Sequence, residues 1–293
     1  MNETVLIVGA GGQLGSELQK TCPPGVRAVA VTRSELDIAD EAAVDALIER
    51  EAPGLVINAA AYTAVDKAES EPNEAALGNA TGPGVLAAAC AAADVRFIHI
   101  STDFVFDGSS SVPYTPDAPT SPIGEYGASK LEGEVKVRAA LPDALIIRTG
   151  WVYSAFGHNF VKTMLRLMGE RDELTVVSDQ VGTPTWAQGL ALAVWAAAER
   201  PQLTGTYHWS DAGVCSWYDF AVAICEEGVE LGFLERLVNV KPILAVDYPT
   251  PAKRPAYSVL DKSASWRDFE LEGVHWRAQL RGMLQHLKEL ENA

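Results

Sequence analysis

Tyr126 and Lys130 stand four residues apart in Tyr126-Gly127-Ala128-Ser129-Lys130. On a helix that spacing puts a phenol and an ammonium on one face. A phenol with a pKa of about 10 is a poor acid–base catalyst at neutral pH unless its anion is stabilised, and a nearby ammonium does that. The same lysine can donate hydrogen bonds to ribose hydroxyls, tying the catalytic group to a nucleotide cofactor. Taken alone, the pattern is equally the surface of an amphipathic helix. Its setting favours chemistry, because Ser101-Thr102-Asp103 follows an apolar β-rich run upstream. The hydroxyls there could hold a carbonyl oxygen beside the phenol.

A second group of residues points to a dinucleotide. Gly9-Ala10-Gly11-Gly12-Gln13-Leu14-Gly15 directly follows the first apolar run and opens a helical stretch. Gly9, Gly12 and Gly15 give the spacing G-x-x-G-x-x-G. Leu14 stands where the third glycine of G-x-G-x-x-G would fall. Glycine suits this turn because a Cβ would obstruct the pyrophosphate or the helix–strand contact. The helix start then offers free N–H groups to phosphate. After the second run comes Thr32-Arg33-Ser34 instead of the acidic residue that would accept from a ribose 2′-hydroxyl. A guanidinium there can grip a 2′-phosphate, so NADPH is favoured, with NADH left open as a second reductant. The other reading of Arg33 is a solvated loop cation. Asp37 and Ile38 are placed to meet adenine, and the small residues after Asn58 allow close approach of a cofactor.

These residues need a scaffold that brings loop ends together. Short β-rich runs at Thr4–Val8, Arg27–Val31, Leu55–Asn58, Arg96–Ile100 and Leu145–Arg148 alternate with helical stretches near 12–21, 41–51, 73–93 and 124–140. That alternation predicts an α/β fold, a doubly wound parallel Rossmann sheet. Several runs are almost wholly apolar, as strands covered on both faces should be. Beyond about residue 150, glycine, proline and aromatics become frequent. The expected division is a dinucleotide-binding domain over 1–150, with later segments crossing back to it, and a smaller, mainly substrate-binding lobe over 151–293. A closing amphipathic helix near 276–291 would bury Trp276, Leu280, Met283, Leu284 and Leu287.

Composition removes other classes of function. Among the 293 residues, 48% are hydrophobic and 21% charged, a balance that supports a sizeable core. The net charge of −16 repels polyanions over most of the surface, which argues against nucleic acid and acidic membranes but not against one phosphate-bearing ligand held locally. Cys22, Cys90, Cys215 and Cys225 form no C-x-x-C pair and read as reduced, packed thiols. Met1-Asn2-Glu3-Thr4 lacks the basic charge of a leader. The alanine-rich stretches near 85–93 and 190–198 are too short to span a bilayer. The expectation is a cytoplasmic protein.

With glycine loop, hydroxyl and Tyr/Lys pair in this order, the chain resembles the extended short-chain dehydrogenase/reductases. Within them it is similar to the branch that reduces dTDP-4-dehydro-L-rhamnose. The resemblance runs through Gly12–Gly15, Asn58–Glu69, Ser101–Phe106, Tyr126–Lys130 and Trp151–Tyr153, and on through Asn159–Met164, Asp179–Thr185 and Arg254-Pro255. It implies NADPH-dependent reduction of the C4 ketone of a dTDP-linked deoxysugar. It further implies Tyr126 as proton donor, with Lys130 as its partner and ribose ligand. Thr102 and Asp103 would contact the sugar, and Thr102 would also tune the phenol. Gly12, Gln13, Leu14, Asp37, Ile38, Ala61, Tyr62 and Thr63 match cofactor-contacting positions. Trp151 matches a substrate-contacting tryptophan, although on its own it reads as a core aromatic. Asn159 and Arg254 are candidate diphosphate or sugar contacts. Some members of the branch are homodimers held by Mg²⁺ on glutamates. Here Glu17 matches one such position, but Gln188 replaces another carboxylate, so no metal is expected. Two alternatives stay open: another nucleotide-linked 4-ketohexose, or a non-catalytic NADP-binding regulatory subunit.

Overall fold

The computed structural model describes residues 4–292; residues 1–3, on which part of the argument against a leader rests, lie outside it. In the first half, β1 (Thr4–Val8), α1 (Gln13–Lys20), β2 (Arg27–Val31), α2 (Glu41–Glu51) and β3 (Leu55–Asn58) alternate as expected. A short α3 (Val65–Ala68) leads to α4 (Pro72–Ala76), a π turn over Leu77–Thr81, and α5 (Gly82–Ala92). Then come β4 (Arg96–Thr102), α6 (Glu125–Ala140) and β5 (Leu145–Thr149). β4 runs two residues further than its apolar stretch, so Ser101 and Thr102 end the strand instead of following it. Only Asp103 opens the next turn.

The second half supplies β6 (Val152–Tyr153), α7 (Phe160–Glu170), β7 (Glu173–Val177), β8 (Val181–Gly182) and β9 (Thr185–Trp186). It continues with α8 (Ala187–Ala198), β10 (Gly205–His208), β11 (Cys215–Ser216) and α9 (Trp217–Glu230). It closes with β12 (Asn239–Ile243), α10 (Ser263–Phe269) and α11 (Trp276–Glu291).

The main sheet has six parallel strands in the order β10-β5-β4-β3-β1-β2. Both faces are covered, and the period of two is legible in single strands. Val5 and Ile7 pack with Leu14, Leu18, Leu190 and Trp195 of α1 and α8. Leu6 and Val8 point the opposite way, toward Val44, Leu47, Leu86 and Cys90 of α2 and α5. α8 and β10 thus cross back from the second half of the chain onto this sheet. A separate core unites α7, α9 and α11 through Val161, Met164, Phe220, Ile224, Leu280, Met283 and Leu284, beside the parallel pair β7–β12. α11 buries the five residues its periodicity marks.

The helical run over 72–92 is longer than its alanine-rich part. By length and composition it could cross a bilayer. In the fold it is a core helix, with Leu86, Ala87 and Cys90 fully buried and α6 packed alongside.

Candidate active site

The sheet order reverses direction between β1 and β3, and ligands of doubly wound sheets sit at the strand C-termini of that switch point. The glycine loop occupies it. Gly9 has φ of +87°, and a Cβ there would lie 2.5 Å from the Ala60 nitrogen. A Cβ on Gly15 would lie 2.2 Å from the Gly9 oxygen. Loop, β3 and α1 therefore close only without side chains at these positions. Gly12 caps α1 with no side-chain hydrogen bond, leaving the first turn (Gln13, Leu14, Gly15) open to an anion. Arg33 is exposed just past β2 and has no ion pair or hydrogen bond among the described residues. Asp37 is exposed, and Ile38 wedges against the helix at Gly82, where a Cβ would come within 2.3 Å of its side chain.

Ala61, Tyr62 and Thr63 follow β3, and one residue fixes them. Asn79, fully buried in the π turn, accepts from the Tyr62 N–H at 2.9 Å and donates to the Tyr62 carbonyl at 3.0 Å. Its amide also donates to Ser129 Oγ on α6 at 3.0 Å. A π turn exposes backbone and side chains that a regular helix would stack away, and here it joins the two halves of the site. The Tyr62 phenol donates to Glu71 at 2.6 Å, and that carboxylate pushes its pKa up to about 12.

The candidate catalytic group is assembled from the end of β4 and the first turns of α6. Close approach depends on Gly127, where a Cβ would lie 2.2 Å from the Phe104 oxygen. Phe104 meets the Tyr126 ring edge-on at 5.4 Å. Burial pushes the Tyr126 phenol up to about 12, the Thr102 hydroxyl pulls it down, and the Asp103 charge raises it. The expected lowering by Lys130 is not found, its ammonium being engaged with the Ile100 carbonyl, and the phenol holds its proton at neutral pH. Lys130 is buried and donates from Nζ to the Ile100 carbonyl at 2.7 Å. Burial lowers it to about 8, with the nearby Glu134 opposing the drop. Glu134 is in turn clamped by Arg148 at 2.7 and 2.8 Å and by Ser101 at 2.6 Å. Asp103 is buried, accepts from Thr102 Oγ1 at 3.1 Å, and is pushed by burial to about 6 against the pull of the Ser258 and Thr102 hydroxyls.

Beyond this cluster lies the second lobe. Gly150 abuts the Asp103 carboxylate, where a Cβ would come within 2.5 Å. Trp151 follows and stacks on Trp217 with ring centroids 3.5 Å apart. A cavity of about 630 Å³ is lined by Trp217, Phe160, Gln180, Tyr248, Asp66 and Arg254, among others. Tyr126, Lys130 and Thr102 do not line it. Arg254 reaches its wall through a two-pronged pair with Asp66, at 2.8 and 3.1 Å. Asn159 is engaged within the protein: it caps α7 by accepting from Lys162 N–H, and its amide donates to Gln13 Oε1 at 3.0 Å and the Ser154 carbonyl at 2.7 Å. It joins the second lobe to the glycine loop.

Gln188 puts a neutral amide where a magnesium site of this branch would want a second carboxylate. Glu17 is fully buried, its Oε1 accepting from both Ser154 Oγ at 2.7 Å and the Trp186 indole at 3.3 Å, while its Oε2 is buried without a partner. Among the described residues no three His, Cys, Asp or Glu side chains are grouped to hold a metal ion. Asn79 and Trp217 are residues that motif reading passes over, and Asp66 lies in the Asn58–Glu69 block without a role assigned to it. The one signal for Asn79 is an amide set among the small and apolar residues of the run from Ala75 to Ala80. Trp217 follows a readable cap signature, Ser216 and Asp219.

Known proteins share this fold from end to end. A family model described as the RmlD substrate binding domain matches residues 3–289. The chain belongs to this family. It is 42% identical over 284 residues to the dTDP-4-dehydrorhamnose reductase of Sinorhizobium fredii, covering 95% of each chain. A solved dTDP-4-dehydrorhamnose reductase from Clostridium acetobutylicum superposes with a TM-score of 0.91 at 41% identity, covering 97% of this chain and 99% of that one. Another from Bacillus anthracis, solved in complex with NADP, gives a TM-score of 0.92 at 35% identity, covering 98% and 100%. Membership in the RmlD family makes the chain a sugar-nucleotide oxidoreductase on a Rossmann sheet.

Proposed function

We propose that the protein reduces the C4 ketone of dTDP-4-dehydro-L-rhamnose to dTDP-L-rhamnose with NADPH. The observation that supports this is the intact set Thr102, Tyr126 and Lys130 at the end of β4 and the start of α6, on a sheet whose switch point carries the glycine loop and in a chain whose second half holds a cavity of about 630 Å³. A binding subunit would gain nothing from a half-buried, protonated phenol set against a threonine hydroxyl.

Residues 1–150 hold the cofactor. The loop from Gly9 to Gly15 receives the pyrophosphate, Arg33 the 2′-phosphate, and Asp37, Ile38 and Ala61–Thr63 the rest of the dinucleotide. NADPH, when bound, supplies the hydride that reduces the ketone. Thr102 holds the carbonyl oxygen beside Tyr126, whose neutral phenol donates its proton to that oxygen as charge develops on it. A phenol held near a pKa of about 12 is protonated at neutral pH, the state a donor needs. Lys130 stabilises the phenolate left behind and replenishes its proton. Residues 151–293 mainly hold the sugar nucleotide, with Trp151 and Asp103 at the sugar and Arg254 at the diphosphate. A chain of net charge −16 cannot attract that anion at long range, so close donors must. Asp66 keeps the Arg254 guanidinium at the cavity wall. This reading places the protein in the cytoplasm, where NADPH and sugar nucleotides are made, with neither nucleic acid nor membrane as partner.

The test is NADPH oxidation with enzymatically prepared dTDP-4-dehydro-L-rhamnose beside the free 4-keto sugar. Fast turnover of the nucleotide sugar and poor turnover of the free one are expected, because remote binding energy positions the ketone. Equal rates would refute the assignment of the second lobe.

A further inference from the structure

Trp151 is held in an unusual way. Its backbone φ is +51°, a left-handed conformation that costs any residue with a Cβ. Its ring runs against the bare Cα of Gly182, where a Cβ would come within 2.5 Å of the indole. Its face is covered by Trp217, with 3.5 Å between centroids and 3° between planes. Both rings are only half-buried, so the stack is a wall and not part of a sealed core.

The sequence near residue 216 builds this contact. β8 and β11 pair antiparallel, with Cys215 opposite Gly182 and Ser216 opposite Val181. Ser216 then starts α9 with a reciprocal cap: its hydroxyl accepts from the Asp219 N–H at 3.1 Å, and Asp219 accepts from the Ser216 N–H at 2.9 Å. Trp217, the first residue of α9, therefore has little freedom of backbone direction. One short ladder sets Gly182 and Trp217 together around the Trp151 ring. Phe160 leans on Trp217 at 4.7 Å, and both line the 630 Å³ cavity. The chain just before Trp151, at Gly150, touches the Asp103 carboxylate. The stacked indoles thus bridge the catalytic cluster and the cavity.

We infer that Trp217 is a positioning residue for the sugar: by stacking on Trp151 it fixes the plane of the apolar surface against which the deoxysugar ring rests. The inference rests on the function proposed above. Trp217 acts through Trp151, and it serves substrate and not cofactor, since the cavity it lines has no residue of the glycine loop in its wall.

A double-mutant cycle of Trp151→Ala and Trp217→Ala measures this directly. Trp217→Ala is expected to raise the KM for the sugar nucleotide about ten-fold, the worth of one aromatic stacking contact, with the NADPH KM unchanged. In the Trp151→Ala background the same change should cost less than about two-fold. Trp217→Phe should recover most of the loss and Trp217→Leu should not, which keeps the test open if the alanine variant folds poorly. Additive losses, equal KM values for the Phe and Leu variants, or a parallel rise in the NADPH KM would each overturn the inference. If the wild type turns over no sugar nucleotide, the proposed function fails, and the cycle is read instead by calorimetric binding of dTDP-L-rhamnose. The same non-additivity there would sustain the role of Trp217, and no binding of that product to the wild type would overturn it as well.

Discussion

Replacing Lys130 with methionine separates its cost to folding from its use in catalysis. Burial lowers the ammonium from 10.5 to about 8. At about 1.36 kcal/mol per unit, the charged form is disfavoured by up to about 3 kcal/mol. Below pH 8 the lysine is protonated in both folded and unfolded states, so this penalty is fully present. Between about pH 8 and 10.5 the unfolded chain binds more protons than the folded one, so the penalty is relieved and stability rises with pH. Lys130→Met escapes the penalty but gives up the hydrogen bond to the Ile100 carbonyl, worth about 1.5–3 kcal/mol for a charged donor. The two terms nearly offset at pH 7, and the variant should match the wild type there to within about 1.5 kcal/mol. By about pH 10 the wild type should have gained on it by about 2–3 kcal/mol. Urea unfolding of both proteins at the two pH values reads this difference, with other titrations cancelling between them. In kinetics, kcat/KM of the wild type should fall above about pH 8 as free Lys130 loses its proton, and the variant should lose most turnover at every pH. A stability difference that does not change with pH would refute the reasoning.

Four more outcomes follow from the site. Tyr126→Phe should cut turnover by roughly 10²–10⁴-fold and leave NADPH affinity unchanged, measured by single-turnover kinetics and cofactor titration. Arg33→Ala should weaken NADPH by about 1.5–3 kcal/mol and leave NADH binding untouched; equal losses for the two cofactors would show that Arg33 does not read the 2′-phosphate. Arg254→Ala should raise the sugar-nucleotide KM by the equivalent of about 1.5–3 kcal/mol without altering the NADPH KM, since its guanidinium faces the cavity through Asp66. EDTA should change neither activity nor sedimentation, because Gln188 offers a neutral amide where a second carboxylate would be needed to hold the cation; a loss that Mg²⁺ restores would contradict this.

Elements whose residues answer to one local rule were legible in the chain. The apolar runs of β1, β2 and β3 and the heptad-like face of α11 match the structure residue for residue. Where tertiary contact decides, the reading fell short. β4 gains Ser101 and Thr102 because β5 pairs with them at Arg148 and Thr149, a partner that polar residues do not advertise. β10, Gly205-Thr206-Tyr207-His208, carries no apolar run yet completes the sheet beside β5. The helix over 72–92 hides a π turn whose purpose is visible only when Asn79 is seen holding Tyr62 and Ser129. The site divides in the same way. The glycine loop and the Tyr126–Lys130 pair are local motifs. The phenol's raised pKa, the Asp66–Arg254 pair and the Trp151–Trp217 stack depend on residues far apart in sequence, which no spacing could reveal.

The central claim is that this chain delivers hydride from NADPH to C4 of a nucleotide-linked deoxysugar. It is tested most directly with NADPH deuterated at the nicotinamide C4 and dTDP-4-dehydro-L-rhamnose, with the product read by proton NMR. The account predicts dTDP-L-rhamnose carrying deuterium at C4 alone, formed by the wild type and scarcely by Tyr126→Phe. Deuterium at another carbon, or labelled cofactor left unoxidised with this sugar nucleotide, would contradict it.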